Sequence, residues 1–387
     1  MAFGRSLQGV RMFTRFFFLL SLHVSVALAS WANASERPDA ELRNAEMESL
    51  VSRFVRAEAF RGVVLVAHQG KLLHRAAYGE ADASRNIANS LTTRFLIGSL
   101  TKSFTAIAVL QLVEQEKLEL KAPIARYLPE LRNELAESLT LHLLLKHQSG
   151  LPVHLERLAE EAERPVSSKE IFAIINDAEL SFSPGSKYEY GNLGYHLAAL
   201  ILERVSGKPY QEIIQQQIFE PAGMRDSGIE RFAKRPERRA NGYAKSLLGI
   251  SQDENNVSWA FGTGDIYSTA DDILRWDEAL FSNRLLSRES RERLFDGESA
   301  EWGYYGYGFR VHEYQRSPDH ASLGKMIRHG GSMDGFLSNY HHYIDDELTV
   351  IVLANIRPFE IRQLTFALKE VALGAAALGR KRNAGIE

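Results

Sequence analysis

The stretch Gly98-Ser99-Leu100-Thr101-Lys102-Ser103-Phe104-Thr105-Ala106-Ile107-Ala108-Val109-Leu110-Gln111-Leu112-Val113 decides how the rest of the chain is read. Wound as a helix it is apolar on nearly every side, the pattern of a helix buried all round rather than along one stripe. The spacing predicts a helix from Ser99 to about Glu116, opened by Gly98. Its first turn carries a hydroxyl and an amine. Three residues apart on a helix means about 60° of rotation and roughly 4.5 Å of rise, so Ser99 and Lys102 sit one turn apart. Free N–H groups of a first turn can hold an oxyanion. A serine is inert without a base, and a desolvated lysine can be that base. The spacing alone decides nothing, because Ser322-Leu323-Gly324-Lys325 matches it equally well. Ser99 by itself also reads as a helix cap.

Before this helix lie an amphipathic helix over Glu41 to Phe60 and a hairpin. The hairpin strands, Gly62 to His68 and Lys71 to Tyr78, flank the turn signal Gln69-Gly70. From about Lys121 to Ala244 the pattern is helical and loop-rich. Strand character returns at Gly308 to Tyr314, Lys325 to His329, Phe336 to Ile344 and Leu348 to Asn355. Helices are expected over Asp265 to Leu280, announced by Ser268-Thr269-Ala270-Asp271-Asp272, and from about Pro358 to Leu378. Strands at both chain ends and helices between them predict an α+β fold, an α/β sandwich. One antiparallel sheet is built from both ends, flanked by helices, with an inserted all-helical lobe. The expected units are a sheet lobe over 35–120 and 255–378, a helical lobe over 121–254, and a flexible tail over 379–387. A cleft between two such lobes is a natural ligand site.

The 387 residues are 45% hydrophobic and 25% charged, which excludes disordered and low-complexity classes. Forty-six Lys and Arg face 49 Asp and Glu. The first 29 residues hold three arginines and no acid, leaving 43 against 49 elsewhere, or -6. That balance argues against a nucleic-acid partner. There is no cysteine, which removes disulfides, thiolate metal sites and cysteine nucleophiles. Arg5, Arg11 and Arg15 precede an apolar run from Phe16 to Ala29, followed by Ala27-Leu28-Ala29 and Ala32-Asn33-Ala34. This is a signal-peptide pattern over residues 1–34, cleaved near Ala29 or Ala34. Fourteen residues is short against the roughly 20 of a spanning helix. A periplasmic or secreted protein follows, with an N-terminal membrane anchor as the alternative.

Two further segments carry chemistry. Tyr190-Gly191-Asn192 places a phenol able to relay a proton and an amide able to grip a substrate carbonyl or hold a lysine. His329-Gly330-Gly331-Ser332 ends a predicted strand. Glycine at 331 would let substrate lie against the strand edge, and the Ser332 N–H would be a second oxyanion donor. Trp302-Gly303-Tyr304-Tyr305 is a candidate aromatic wall. His341-His342 with Asp345-Asp346 is no good metal site, since neighbours on a strand face opposite ways. No metal and no cofactor is expected. An α/β-hydrolase needs a G-x-S-x-G elbow, and Gly331-Ser332-Met333-Asp334-Gly335 is out of register for one.

In their order along the chain these segments resemble the penicillin-recognising serine hydrolases. That superfamily holds the class C β-lactamases, the related D-alanyl-D-alanine carboxypeptidases and esterases of the same β-lactamase/transpeptidase-like fold. The resemblance spans nearly all of residues 40–378. It includes Arg94-Phe95-Leu96-Ile97-Gly98-Ser99, His147-Gln148-Ser149-Gly150-Leu151-Pro152, Tyr190-Gly191-Asn192-Leu193-Gly194-Tyr195 and Phe219-Glu220-Pro221-Ala222-Gly223-Met224. It implies Ser99 as the acylated nucleophile, Lys102 as its proton acceptor and Tyr190 as the relay to the leaving group. Asn192, His329, Gly331 and Ser332 would contact substrate, with Ser99 and Ser332 N–H groups forming the oxyanion hole. Two departures stand out. His329 replaces the lysine usual in class C β-lactamases, and an imidazole is only partly charged near neutral pH. Asp334 stands where relatives often have proline, and would repel an anionic substrate if it faced the cleft. The expectation is an ester or amide hydrolase acting on a D-Ala-type peptide or small ester. Alternatives are a weak β-lactamase and a catalytically silent cell-wall or peptide receptor.

Overall fold

The structure is a computed structural model that describes residues 40–57, 59–152, 167–231, 235–253, 257–317 and 320–374. The signal-peptide segment and the tail over 379–387 lie outside the described residues. Helix α1 covers 40–57. Strands β1 (Gly62–His68) and β2 (Lys71–Tyr78) follow. Both turn residues between them, Gln69 (φ 50°) and Gly70 (φ 71°), take the left-handed backbone that a tight hairpin requires. After helices α2 (Thr101–Glu114), α3 (Leu193–Ser206) and α4 (Ala270–Phe281), the chain returns to strands. These are β3 (Arg310–Ser317), β4 (His320–Met333), β5 (Phe336–Tyr343) and β6 (Leu348–Ala354), closed by helix α5 (Ile361–Ala372).

One six-stranded sheet joins the two ends in the order β3-β4-β5-β6-β1-β2. Its seam is the antiparallel pair β1–β6, with Val64 opposite Val352 and Leu65 opposite Ile351. Alternation along β1 sends successive residues to opposite faces. Val63 and Leu65 join the core around α2, while Val64 and Val66 join the core under α1 and α5. The sheet is therefore buried on both faces, which is why β1 and β6 read as nearly continuous apolar runs. Helix α2 is central: Thr101 to Leu110 are all buried, and Phe104 stacks on Trp276 of α4 at 4.6 Å. Each such large apolar side chain contributes roughly 1.5–3 kcal/mol on burial.

Boundaries differ from expectation where local geometry intervenes. Residues Gly98–Leu100 form a tight 3-10 turn, so regular α-helix begins at Thr101. The predicted helix over Asp265 to Leu280 starts only at Ala270. Ile266–Ser268 is instead a short strand pairing with Phe95–Leu96, and Thr269 caps the helix by accepting from the Asp272 N–H. Strand β4 begins five residues earlier than predicted, which takes Ser322 to Lys325 into the sheet. Between the sheet halves the described chain is mostly helix and loop, with a hairpin of Gly242–Ser246 and Gly249–Asp253. Among the described residues no helix is long and apolar enough to cross a membrane.

Candidate active site

Two glycines bring the head of α2 onto the sheet. Gly98 has φ +52°, and a Cβ there would lie 2.8 Å from the Ser332 backbone nitrogen. A Cβ on Gly331 would lie 1.8 Å from the Ile97 carbonyl oxygen. No other residue type fits either place without moving backbone. The turn 97–99 consequently lies flat against β4, and the Ser338 hydroxyl of neighbouring β5 donates to the Ile97 carbonyl at 2.6 Å. Pairing of Ile97 N–H with the Ile266 carbonyl at 3.0 Å fixes the other side. The close approach of turn 97–99 by itself requires glycine at 331, which also lines the cavity bounded by Ser99 and Tyr190.

Ser99 does not cap: neither the turn nor α2 has a side-chain cap bond. Lys102 is fully buried and its Nζ reaches Ser99 Oγ at 3.0 Å, Asn192 Oδ1 at 2.8 Å and the Thr263 carbonyl at 3.1 Å. Asn192 stands at the N-cap of α3 but makes no capping bond there. Its amide oxygen faces the lysine, so of the two roles the sequence allowed, holding the lysine is the one the geometry displays. The Tyr190 ring lies 5.1 Å from Lys102 Nζ. Behind the lysine the buried carboxyl of Asp265 accepts from the Gly262 N–H at 3.2 Å. Desolvation pushes that carboxyl up to about 7, against hydrogen bonds and the Lys102 charge that lower it.

A cavity of about 340 Å³ opens above these groups, bounded by Ser99, Tyr190, His329, Gly331 and Ser332. Lys102 and Asn192 lie beneath it. His329 departs from expectation. Burial, then the nearby Lys102, lowers its pKa to about 3. Its Nδ1 lies 2.6 Å from the Gly330 carbonyl, which can only accept, so Nδ1 carries the proton and Nε2 accepts from Tyr305 Oη at 2.8 Å. The imidazole is neutral, not partly charged. Fixed positive charge comes instead from Arg310, Arg328 and Arg362, which line the same cavity; among the described residues no Asp or Glu does. Sequence reading missed all three. Arg328 precedes the motif on β4, and Arg362 sits in the first turn of α5, a contact that only the tertiary fold creates. Asp334 does not line the cavity; its carboxylate pairs with Arg357 at 3.4 Å. The proposed aromatic wall splits, with Tyr305 buried behind His329 and Tyr304 half-exposed against His312. A larger cleft of about 700 Å³ lies near Asp82, but there Arg85 pairs with Asp82 and Arg239 with Glu230.

A hydroxyl and a buried lysine at the head of a central helix, against the inner sheet face, define the architecture of the penicillin-recognising serine hydrolases. The Beta-lactamase family model matches residues 47–373, and the chain belongs to that family. It is 30% identical over 327 residues to the putative penicillin-binding protein PbpX of Bacillus subtilis, covering 84% of this chain and 78% of that one. Esterase EstB of Burkholderia gladioli is 29% identical over 359 residues, covering 81% and 90%. Among solved structures, a penicillin binding protein from Bacillus halodurans superposes with a TM-score of 0.71 at 27% identity, covering 86% of this chain and 99% of that one. The fold is that of β-lactamases and transpeptidases, and the family is one of serine hydrolases.

Proposed function

We propose that the protein is a periplasmic or secreted serine hydrolase that forms an acyl-enzyme on Ser99. The observation that carries this reading is the Lys102 amine, 3.0 Å from Ser99 Oγ with Asn192 Oδ1 and the Thr263 carbonyl as its other partners. In its base form the amine donates to those two oxygens and turns its lone pair to the serine O–H. Lys102 takes that proton as Oγ attacks an ester or amide carbonyl. The N–H groups of Ser99 and Ser332 receive the oxyanion. Tyr190 passes a proton to the leaving group, and water then releases the acyl group.

Among the described residues three arginines and no carboxylate line the cavity, which favours a substrate bearing a free carboxylate, as a D-Ala-terminated peptide does, over a neutral ester. A guanidinium is a fixed charge suited to carboxylate. A hydrolysis panel tests this: a D-Ala-D-Ala peptide, its C-terminal methyl ester or amide, a cephalosporin reporter and short p-nitrophenyl esters. The free acid is expected to be preferred by about 10-fold in kcat/KM, with Arg328→Gln narrowing the gap. Equal rates for free and blocked peptides would remove the carboxylate from recognition. A fluorophosphonate probe that labels Ser99→Ala as well as wild type would end the acyl-enzyme reading.

A further inference from the structure

We propose that His147 is the positioning residue for Tyr190, holding its phenol at the leaving-group side of the site. This rests on the assignment of Tyr190 as proton relay. His147 is buried and grips the tyrosine's own segment at three points. Its carbonyl accepts from the Glu189 N–H at 2.9 Å, one residue before Tyr190. Its ring Nδ1 accepts from the Gly191 N–H at 3.4 Å, one residue after. Its ring packs on the Tyr190 ring with centroids 4.3 Å apart. A backbone N–H can only donate, so Nδ1 is unprotonated and the proton of the neutral ring sits on Nε2. Nε2 is buried among the rings of Tyr195 and Tyr305, with no hydrogen-bond partner among the described residues. An orphaned buried N–H costs stability. A phenylalanine would fill the ring space without that cost, but would offer nothing to the Gly191 N–H. His147 also holds φ +57°, turning the chain so that its carbonyl and its ring both face the loop carrying Tyr190.

A misplaced relay shows only where the leaving group needs a proton. p-Nitrophenolate departs without one, whereas an alkoxide or a peptide amine does not. The test measures His147→Phe, which keeps the ring but loses the acceptor, and His147→Asn, which keeps an acceptor near the Nδ1 position. Tyr190→Phe and the Tyr190→Phe/His147→Phe double variant complete the set. Each is assayed with a p-nitrophenyl ester and with the alkyl ester or peptide of the same acyl group. His147→Phe is expected to lower kcat by about 10-fold or more on the poor leaving group and by under about 3-fold on the activated ester, with KM little changed. His147→Asn should recover part of the loss, and the double variant should be no worse than Tyr190→Phe alone. Equal losses on both substrates, or additive losses in the double variant, would overturn the role of His147 while leaving Tyr190 in place. If Tyr190→Phe itself is insensitive to the leaving group, the relay assignment falls, and this inference falls with it. Should His147→Phe not fold, the same split in His147→Asn, with thermal unfolding as the check, decides the matter.

Discussion

The chain holds two Ser-x-x-Lys segments, and they have opposite fates. Ser99 and Lys102 lie on a tight turn and the first turn of α2, and their polar atoms meet at 3.0 Å in a buried pocket. Ser322 and Lys325 lie on β4, both exposed, beside Leu323 at 58% exposure. On a strand, residues three apart face opposite sides and stand about 10 Å apart, so the second pair cannot cooperate. The Lys325 backbone N–H donates to Asp345 at 2.6 Å, an ordinary turn contact. Four letters carry chemistry only through the secondary structure that receives them, and burial supplies the rest.

The sharpest way to break this contrast is to remove each hydroxyl in turn. Ser99→Ala is expected to lower kcat/KM on any substrate by roughly 10⁴-fold or more. Ser322→Ala should stay within about 2-fold of wild type, as surface changes do. A comparable loss from both variants would mean that the buried pair is not the reacting one.

Removing each amine comes next. Lys102→Ala is expected to slow single-turnover acylation by about 10²–10⁴-fold near neutral pH, the range of a lost general base. It also takes the lysine donor away from Asn192 Oδ1 and the Thr263 carbonyl in a buried pocket, so thermal unfolding must be measured beside the rate. Lys325→Ala should change neither quantity. Unaltered acylation in Lys102→Ala, with the fold intact, would take the lysine out of the reaction.

Much of this architecture was legible in the residues. The hairpin Gly62 to Tyr78 and the terminal strands follow from two-residue periodicity and turn chemistry, and the all-round apolar pattern of α2 correctly marked it as central. Ser99, Lys102, Tyr190, His329, Gly331 and Ser332 lie around one cavity, an arrangement that the family resemblance implied and spacing alone offered only for Ser99 and Lys102. What stayed hidden depends on contacts between distant segments. Nothing local says that Gly331 must make room for the Ile97 carbonyl, or that Arg362 reaches the cavity from the last helix. His329 was read as a titrating group because its burial is a property of the assembled core. The capping pattern that suggests a helix from Asp265 is real, but it belongs to Thr269 four residues on.

Two glycines, Gly331 against the turn that carries Ser99 and Gly324 next to Lys325, sharpen the comparison at a smaller scale. Gly331→Ala places a methyl 1.8 Å from a backbone carbonyl, which must shift. Overpacking of this kind costs about 1–3 kcal/mol or more, and here it moves the turn that carries Ser99, so acylation should fall about 10²-fold. Gly324→Ala meets the Tyr314 ring at 2.6 Å, so its strain falls on that ring and not on the turn that carries Ser99, and it should leave turnover unchanged. Normal turnover in a folded Gly331→Ala variant would show that the contact between turn and strand does not set the site.

The smallest effect separates the surroundings of the two amines. Behind Lys102 lies the Asp265 carboxyl, pushed up to about 7 by burial. The unfolded chain, with its carboxyl at the ordinary aspartate value of 3.8, releases that proton first. The protonated folded state therefore has its full advantage below about pH 4, and loses it as pH rises through 7, by at most about 4 kcal/mol. Asp265→Asn removes this titration while keeping an oxygen for the Gly262 N–H. Relative to wild type, the variant should gain a few degrees in Tm between about pH 5 and pH 8, since each kcal/mol moves Tm by a few degrees in a chain of this size. A Tm difference that does not change with pH would mean that Asp265 is already charged at pH 5, and that the lysine pocket is more polar than its burial implies.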